Sequence, residues 1–129
     1  MAPPASPKLL HIGQTLFEWG TRTYVMGVIN ATPDSFSGDG LLDATLAAER
    51  ACEMVEVGAD LIDLGAESTR PGGIAVEASE EWVRLDPVLR AVRAAVDVPL
   101  TVDTVKAAVA ARALDAVADA AVRVPVETL

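Results

Sequence analysis

Three short apolar runs punctuate the chain: Tyr24-Val-Met-Gly-Val-Ile-Asn30, Leu61-Ile-Asp-Leu-Gly-Ala66 and Pro99-Leu-Thr-Val-Asp103. Each is nearly continuous and rich in β-branched residues, which predicts strands buried on both faces, as in a parallel sheet. Helical spacing fills the gaps. Ala44, Ala47, Ala48, Ala51, Met54 and Val55 recur every three or four residues and stop at Gly58. Trp82, Leu85, Leu89, Val92 and Val96 form a second stripe. Ser79 followed by Glu80 and Glu81 marks its start, because carboxylates favour the positive end of a helix. Pro87 marks a kink or restart inside it. A third helix is predicted from near Val105 to about Asp115, and Leu9 to Thr23 reads as a hairpin with turns at Gly13-Gln14 and Gly20-Thr21.

The order is β-α-β-α-β-α. The runs end at Asn30, Ala66 and Asp103, 36 and 37 residues apart. A repeated unit of that size points to a (β/α) barrel or a doubly wound sheet. Eight units need roughly 250 residues, and 129 residues hold just over three. The expectation is α/β, an incomplete (β/α)8 TIM barrel with the first three to four units. The pattern is expected to decay after about residue 116. Val117 stands where Gly58 ended the first helix, and a β-branched residue is strained in a left-handed exit. Pro125 suits no central strand. The chain therefore divides into a tail and hairpin (1–23), a partial barrel (24–116) and an atypical C-terminal tail (117–129).

Composition narrows the function. Ala and Val supply 40 residues and aromatics only 4%, so a core of small, close-packed side chains is expected. A net charge of −9 argues against nucleic acid and anionic membranes, which need a basic surface. No apolar run is long enough to span a bilayer, and Met1 to Pro7 lacks the apolar stretch of a signal peptide. The single Cys52 fits a reducing, cytoplasmic compartment and is expected in the core.

In parallel α/β folds, ligands bind beyond the carboxyl ends of the strands. Three polar segments follow the three runs: Asn30 to Gly40, Glu67 to Gly73, and Asp103 to Lys106. Their convergence on one side predicts a polar small-molecule site. Each segment also has a structural reading. Thr32-Pro-Asp-Ser35 and Gly38-Asp-Gly40 are turn formers. They also suit a hinged lid whose Asn and Asp oxygens meet Mg²⁺ or a ligand. Ser68-Thr-Arg70 suits phosphate oxygens, or Arg70 pairs with Glu67. Asp103 accepts N–H groups from a ring, or caps the next helix. Asp63 lies inside a run, where a buried carboxylate needs hydrogen bonds, and a structural role is favoured. His11 is expected on the surface and Trp82 in packing.

Met26-Gly-Val-Ile-Asn30-Ala-Thr-Pro-Asp34-Ser-Phe-Ser37 resembles the first motif of the dihydropteroate synthases. Gly58-Ala-Asp-Leu-Ile-Asp63-Leu-Gly-Ala-Glu67-Ser-Thr-Arg-Pro-Gly72 resembles their second, and Thr101-Val-Asp103-Thr104 with Lys106 their third strand end. The likeness covers roughly residues 22 to 116. Gly38-Asp39 departs from the commoner Asp-Gly order. The resemblance implies a (β/α)8 barrel of folate biosynthesis. That barrel condenses 6-hydroxymethyl-7,8-dihydropterin diphosphate with p-aminobenzoate, releasing diphosphate, with Mg²⁺ assisting. It implies that Asn30 binds Mg²⁺, and that Asp34, Ser35 and Phe36 lie on the loop ordering over p-aminobenzoate. It implies that Thr69 and Arg70 contact diphosphate, that Pro71 forms part of the p-aminobenzoate wall, and that Asp103 hydrogen-bonds the pterin ring.

The family's fourth-strand Asn-Asp-Val motif, its later Asp and Lys, its final Arg and His and its dimer-interface helices have no match here. The expectation is an N-terminal fragment of such a synthase with little or no turnover alone. The alternatives are a non-catalytic partial barrel that binds ligand or a partner chain, and a methyltetrahydrofolate methyltransferase-type pterin-binding domain. The Thr-Pro-Asp-Ser-Phe and Glu-Ser-Thr-Arg-Pro segments favour the synthase over the methyltransferase.

Overall fold

The computed structural model describes residues 8–31, 44–66 and 77–122. A hairpin comes first: β1 (Lys8–Ile12) pairs antiparallel with β2 (Thr15–Trp19) across Gly13-Gln14. Next come β3 (Met26–Asn30), α1 (Ala44–Glu56), β4 (Leu61–Gly65), α2 (Ala78–Ala95), β5 (Leu100–Asp103), α3 (Ala107–Ala116) and β6 (Ala120–Val122). The four later strands form one parallel sheet in the order β3-β4-β5-β6.

One hydrophobic cluster joins the parallel sheet to the helices. Ile29, Ile62, Leu64, Leu100 and Val102 point from the sheet into the helices. Ala47 and Ala51 of α1, Leu85, Leu89 and Val92 of α2, and Val109 and Ala113 of α3 meet them. The helices thus share one face of the sheet, and the expected small-residue packing is present in α1 and α3. Trp82 packs at the cluster's edge, as expected of a packing residue. Pro87 sits within a continuous α2 on an exposed position, with no restart.

Three expectations are corrected. Cys52 is exposed, not core. The buried face of α1 runs through Ala47 and Ala51, and Cys52 stands one residue, about 100° of rotation, further round. β3 is not buried on both faces. Met26 and Val28 are 44% and 53% exposed, because they point away from the helices while Ile29 points inward. The unit pattern also continues past residue 116. β6 pairs parallel with β5, and Val117 leaves α3 at φ −146°, without the left-handed turn that Gly58 makes at φ +117°. Both helices still close alike, with Ala59 N–H donating to the Met54 carbonyl and Ala118 N–H to that of Ala113.

The hairpin lies by the amino ends of the strands. Leu10, Ile12 and Trp19 border an apolar cavity with Met26, Leu61 and Thr101. Phe17, fully buried, stacks on Trp19 and meets the Tyr24 ring at a tilt. Arg22 lies over the Tyr24 ring and donates to both Asp60 oxygens, at 2.7 and 3.3 Å. The Asp60 carboxyl also accepts the Val25 N–H at 2.8 Å. The Arg22 guanidinium, then that N–H, hold the Asp60 pKa below its usual value.

Candidate functional site

Parallel register sets three strand ends in a row. Asn30 of β3 stands opposite Gly65 of β4, and Gly65 opposite Asp103 of β5. Strand side chains alternate between faces. The row therefore lies on the face turned away from the helices, at the carboxyl edge of the sheet. Gly65 keeps its centre open. A Cβ built there would stand 3.3 Å from the Asp103 carbonyl oxygen, 3.6 Å from the Asp103 Cβ and 4.0 Å from Asn30 Oδ1. Asn30 and Asp103 thus flank a clearing whose floor is backbone.

Asp103 is not a helix cap. α3 begins with Lys106 as its N-cap and has no side-chain capping bond. An amide oxygen and a carboxylate across a bare floor suit a flat polar ring, whose N–H groups the carboxylate accepts while the ring rests on the glycine. Deeper on the same face Asp63 accepts the Thr101 hydroxyl at 2.5 Å, and both are buried. That agrees with the structural role expected of Asp63.

Asn30 and Asp103 are the sequence-derived candidates that the structure brings together. Asp34, Ser35, Phe36, Glu67, Thr69, Arg70 and Pro71 lie outside the described residues. His11 is exposed on β1, beside the hairpin cavity. No group of three or more His, Cys, Asp or Glu side chains among the described residues could hold a metal. No helix there is long and apolar enough to cross a membrane.

Sequence reasoning missed Gly65 and Glu81. Glu81, assigned to a helix end, is 1% exposed. Its Oε2 accepts the Thr104 hydroxyl at 2.6 Å and its Oε1 the Lys106 ammonium at 2.9 Å. The signal was periodicity, since Glu81 shares the buried stripe of Leu85, Val88 and Val92.

Residues 26–122 match the family of pterin binding enzymes. The dihydropteroate synthase of Synechocystis is 49% identical over 114 residues, covering 88% of this chain and 39% of its own. That of Bacillus subtilis is 42% identical over 110 residues, with 84% and 39% covered. The solved Xanthomonas albilineans dihydropteroate synthase with 4-aminobenzoic acid superposes with a TM-score of 0.80 at 40% identity, over 91% of this chain and 42% of that one. The Burkholderia cenocepacia enzyme complexed with 7,8-dihydropteroate gives 0.69 at 40% identity, over 89% and 37%. The chain thus spans about two fifths of the length of these relatives. By the family match over three quarters of its length, it belongs to the pterin-binding enzymes.

Proposed function

We propose that the chain serves the dihydropteroate synthase reaction, the joining of 6-hydroxymethyl-7,8-dihydropterin diphosphate to p-aminobenzoate with release of diphosphate. The observation that carries this reading is the Asn30–Gly65–Asp103 row at the carboxyl edge of a sheet similar to that of solved synthases. In this reading Asp103 accepts pterin N–H groups, and Gly65 lets the ring approach the backbone. The segments carrying Asp34, Ser35 and Phe36, and Thr69, Arg70 and Pro71, follow β3 and β4 in the chain. They are assigned to p-aminobenzoate and diphosphate.

Asn30 suits Mg²⁺ in one respect. Mg²⁺ takes few protein oxygens and fills its shell with water and substrate phosphate, and the exposed Asn30 amide at the row's end offers one hard oxygen. When bound there, the ion would offset charge on the departing diphosphate. The chain's own residues bind and orient the pterin, which brings its exocyclic carbon and the amine into line.

The sequential strand order and one-sided helices support reading the sheet as four strands of an eight-stranded barrel. Met26 and Val28 would then face the barrel interior. The cytoplasmic location expected from the lone cysteine belongs to the same reading.

Calorimetric titration of the 129-residue chain with the pterin diphosphate and Mg²⁺ tests the proposal. Saturable binding is expected, weakened about tenfold or more by Asp103→Asn, since a hydrogen bond to a charged group contributes about 1.5–3 kcal/mol. No saturable binding, or equal affinity in the variant, contradicts it.

A further inference from the structure

The turn that follows Asp103 is held from an unexpected direction. Glu81 enters it from the first turns of α2, over twenty residues earlier in the chain, and its carboxylate is 1% exposed. A carboxylate so buried must be hydrogen-bonded and its charge offset. Both conditions are met within one turn of chain. Thr104 donates its hydroxyl to Oε2 at 2.6 Å, and Lys106 donates its ammonium to Oε1 at 2.9 Å. Thr104 Oγ1 in turn accepts the Lys106 backbone N–H at 3.1 Å, which closes a ring of three residues. Thr104 is itself 1% exposed.

From this geometry we infer that Glu81 is a positioning residue for Asp103, resting on the pterin-binding reading above. Glu81 fixes the Thr104 hydroxyl, and Thr104 Oγ1 in turn fixes the Lys106 amide, so the direction in which β5 ends is set from α2. Glu81 touches no ligand in this scheme. It acts through Thr104 and Lys106 on the aim of the Asp103 carboxylate, where an error of about 1 Å can cost about a hundredfold in a bound geometry.

The test uses the 129-residue chain and two readouts. Amide hydrogen exchange and the ¹⁵N–¹H signals of residues 103–106 report the turn. Fluorescence titration with 6-hydroxymethylpterin reports the site. Glu81→Gln keeps the side-chain volume but presents an amide to the Lys106 ammonium, and Thr104→Val removes the bridging hydroxyl. In both variants the Lys106 amide should lose about tenfold or more of its protection. The Asp103 signal should move, and pterin affinity should fall about tenfold. Ile62 to Leu64 in β4 should stay protected. Thr104→Ser keeps the hydroxyl and should restore all three readouts.

Unchanged Asp103 and Lys106 signals in Glu81→Gln would overturn the inference. So would an equal loss of protection across β4 and α2, which would make Glu81 a residue of general stability. A wild-type chain that binds no pterin contradicts the functional reading instead, while the exchange pattern still decides the role of Glu81 in the turn.

Discussion

Asp60, ahead of β4, and Asp119, ahead of β6, do the same work at alternate junctions of the fold. The Asp60 N–H donates to the Val25 carbonyl at 2.7 Å, and its carboxylate accepts the Val25 N–H at 2.8 Å. Asp119 repeats both bonds with Leu100, at 2.7 and 2.8 Å. Each carboxylate also takes an arginine, Arg22 at 2.7 Å and Arg93 at 3.0 Å. β4 is thereby clipped to the start of β3, and β6 to the start of β5, and the first clip helps to set the β3–β4 register on which the site row depends.

The Asp60 clip predicts a pH dependence. Its pKa is lowered in the folded state, chiefly by Arg22 and then by the Val25 N–H. A depressed carboxyl pKa contributes stability that is fully present above the ordinary value of 3.8 and is lost as the pH falls through the lower folded value. Asp60→Asn should therefore lower Tm at neutral pH, and the difference should shrink as the pH drops below 3.8. Thermal unfolding across pH checks this, and a difference that widens in acid contradicts it.

Gly65→Ala tests the open floor of the site. Its Cβ would stand 3.3 Å from a backbone oxygen of Asp103, so β5 must shift slightly to admit it. Pterin affinity should fall about tenfold, while Tm changes little because the methyl points away from the helix-packed core. Titration beside thermal unfolding separates the two effects. Unchanged affinity would remove Gly65 from the site.

Asn30→Ala tests the metal assignment. In the wild-type chain Mg²⁺ should tighten binding of the pterin diphosphate, and in the variant that gain should be mostly lost. Parallel titrations with and without Mg²⁺ measure it. An equal gain in both proteins would place the ion elsewhere.

Leu85→Ala probes the core. Leu85 is fully buried within the cluster that joins sheet and helices. Its truncation should cost about 2–5 kcal/mol, a large share of the roughly 5–15 kcal/mol that holds a domain together. Urea unfolding gives the number, and a loss below about 1 kcal/mol would mean that the core closes over the gap.

Much of this architecture was legible as periodicity. The apolar runs marked β3, β4 and β5, with the ends of β3 and β5 at Asn30 and Asp103 as read and that of β4 one residue earlier, at Gly65. β6 was hidden by rules that did not govern. Val117 in place of Gly58 argued against a regular helix exit, yet the exit closes through Ala118 N–H whichever φ its predecessor takes. The better signal was the Ala-Asp pair before the strand, 59–60 and again 118–119. In the site, Asn30 and Asp103 stood out as polar ends of apolar runs. Gly65 did not, since its use lies in the side chain it lacks. Glu81 was masked by a familiar preference of acidic residues for helix starts, although its place on the Leu85 stripe marked it as buried.

The chain spans about two fifths of the length of the synthases it resembles, and among the described residues β3 is an edge strand of the sheet that carries the row. Purified alone, it is expected to form little dihydropteroate in a coupled assay with Mg²⁺. Robust turnover by a monomer in size-exclusion chromatography would contradict that expectation.

The most direct test of the pterin site is a ¹⁵N–¹H titration of the chain with 6-hydroxymethylpterin. The amides of Asn30, Gly65 and Asp103 should shift together and saturate at one affinity. Shifts confined to Leu10, Trp19 and Leu61 around the hairpin cavity, or none at all, would contradict the assignment of the strand-end row as the pterin site.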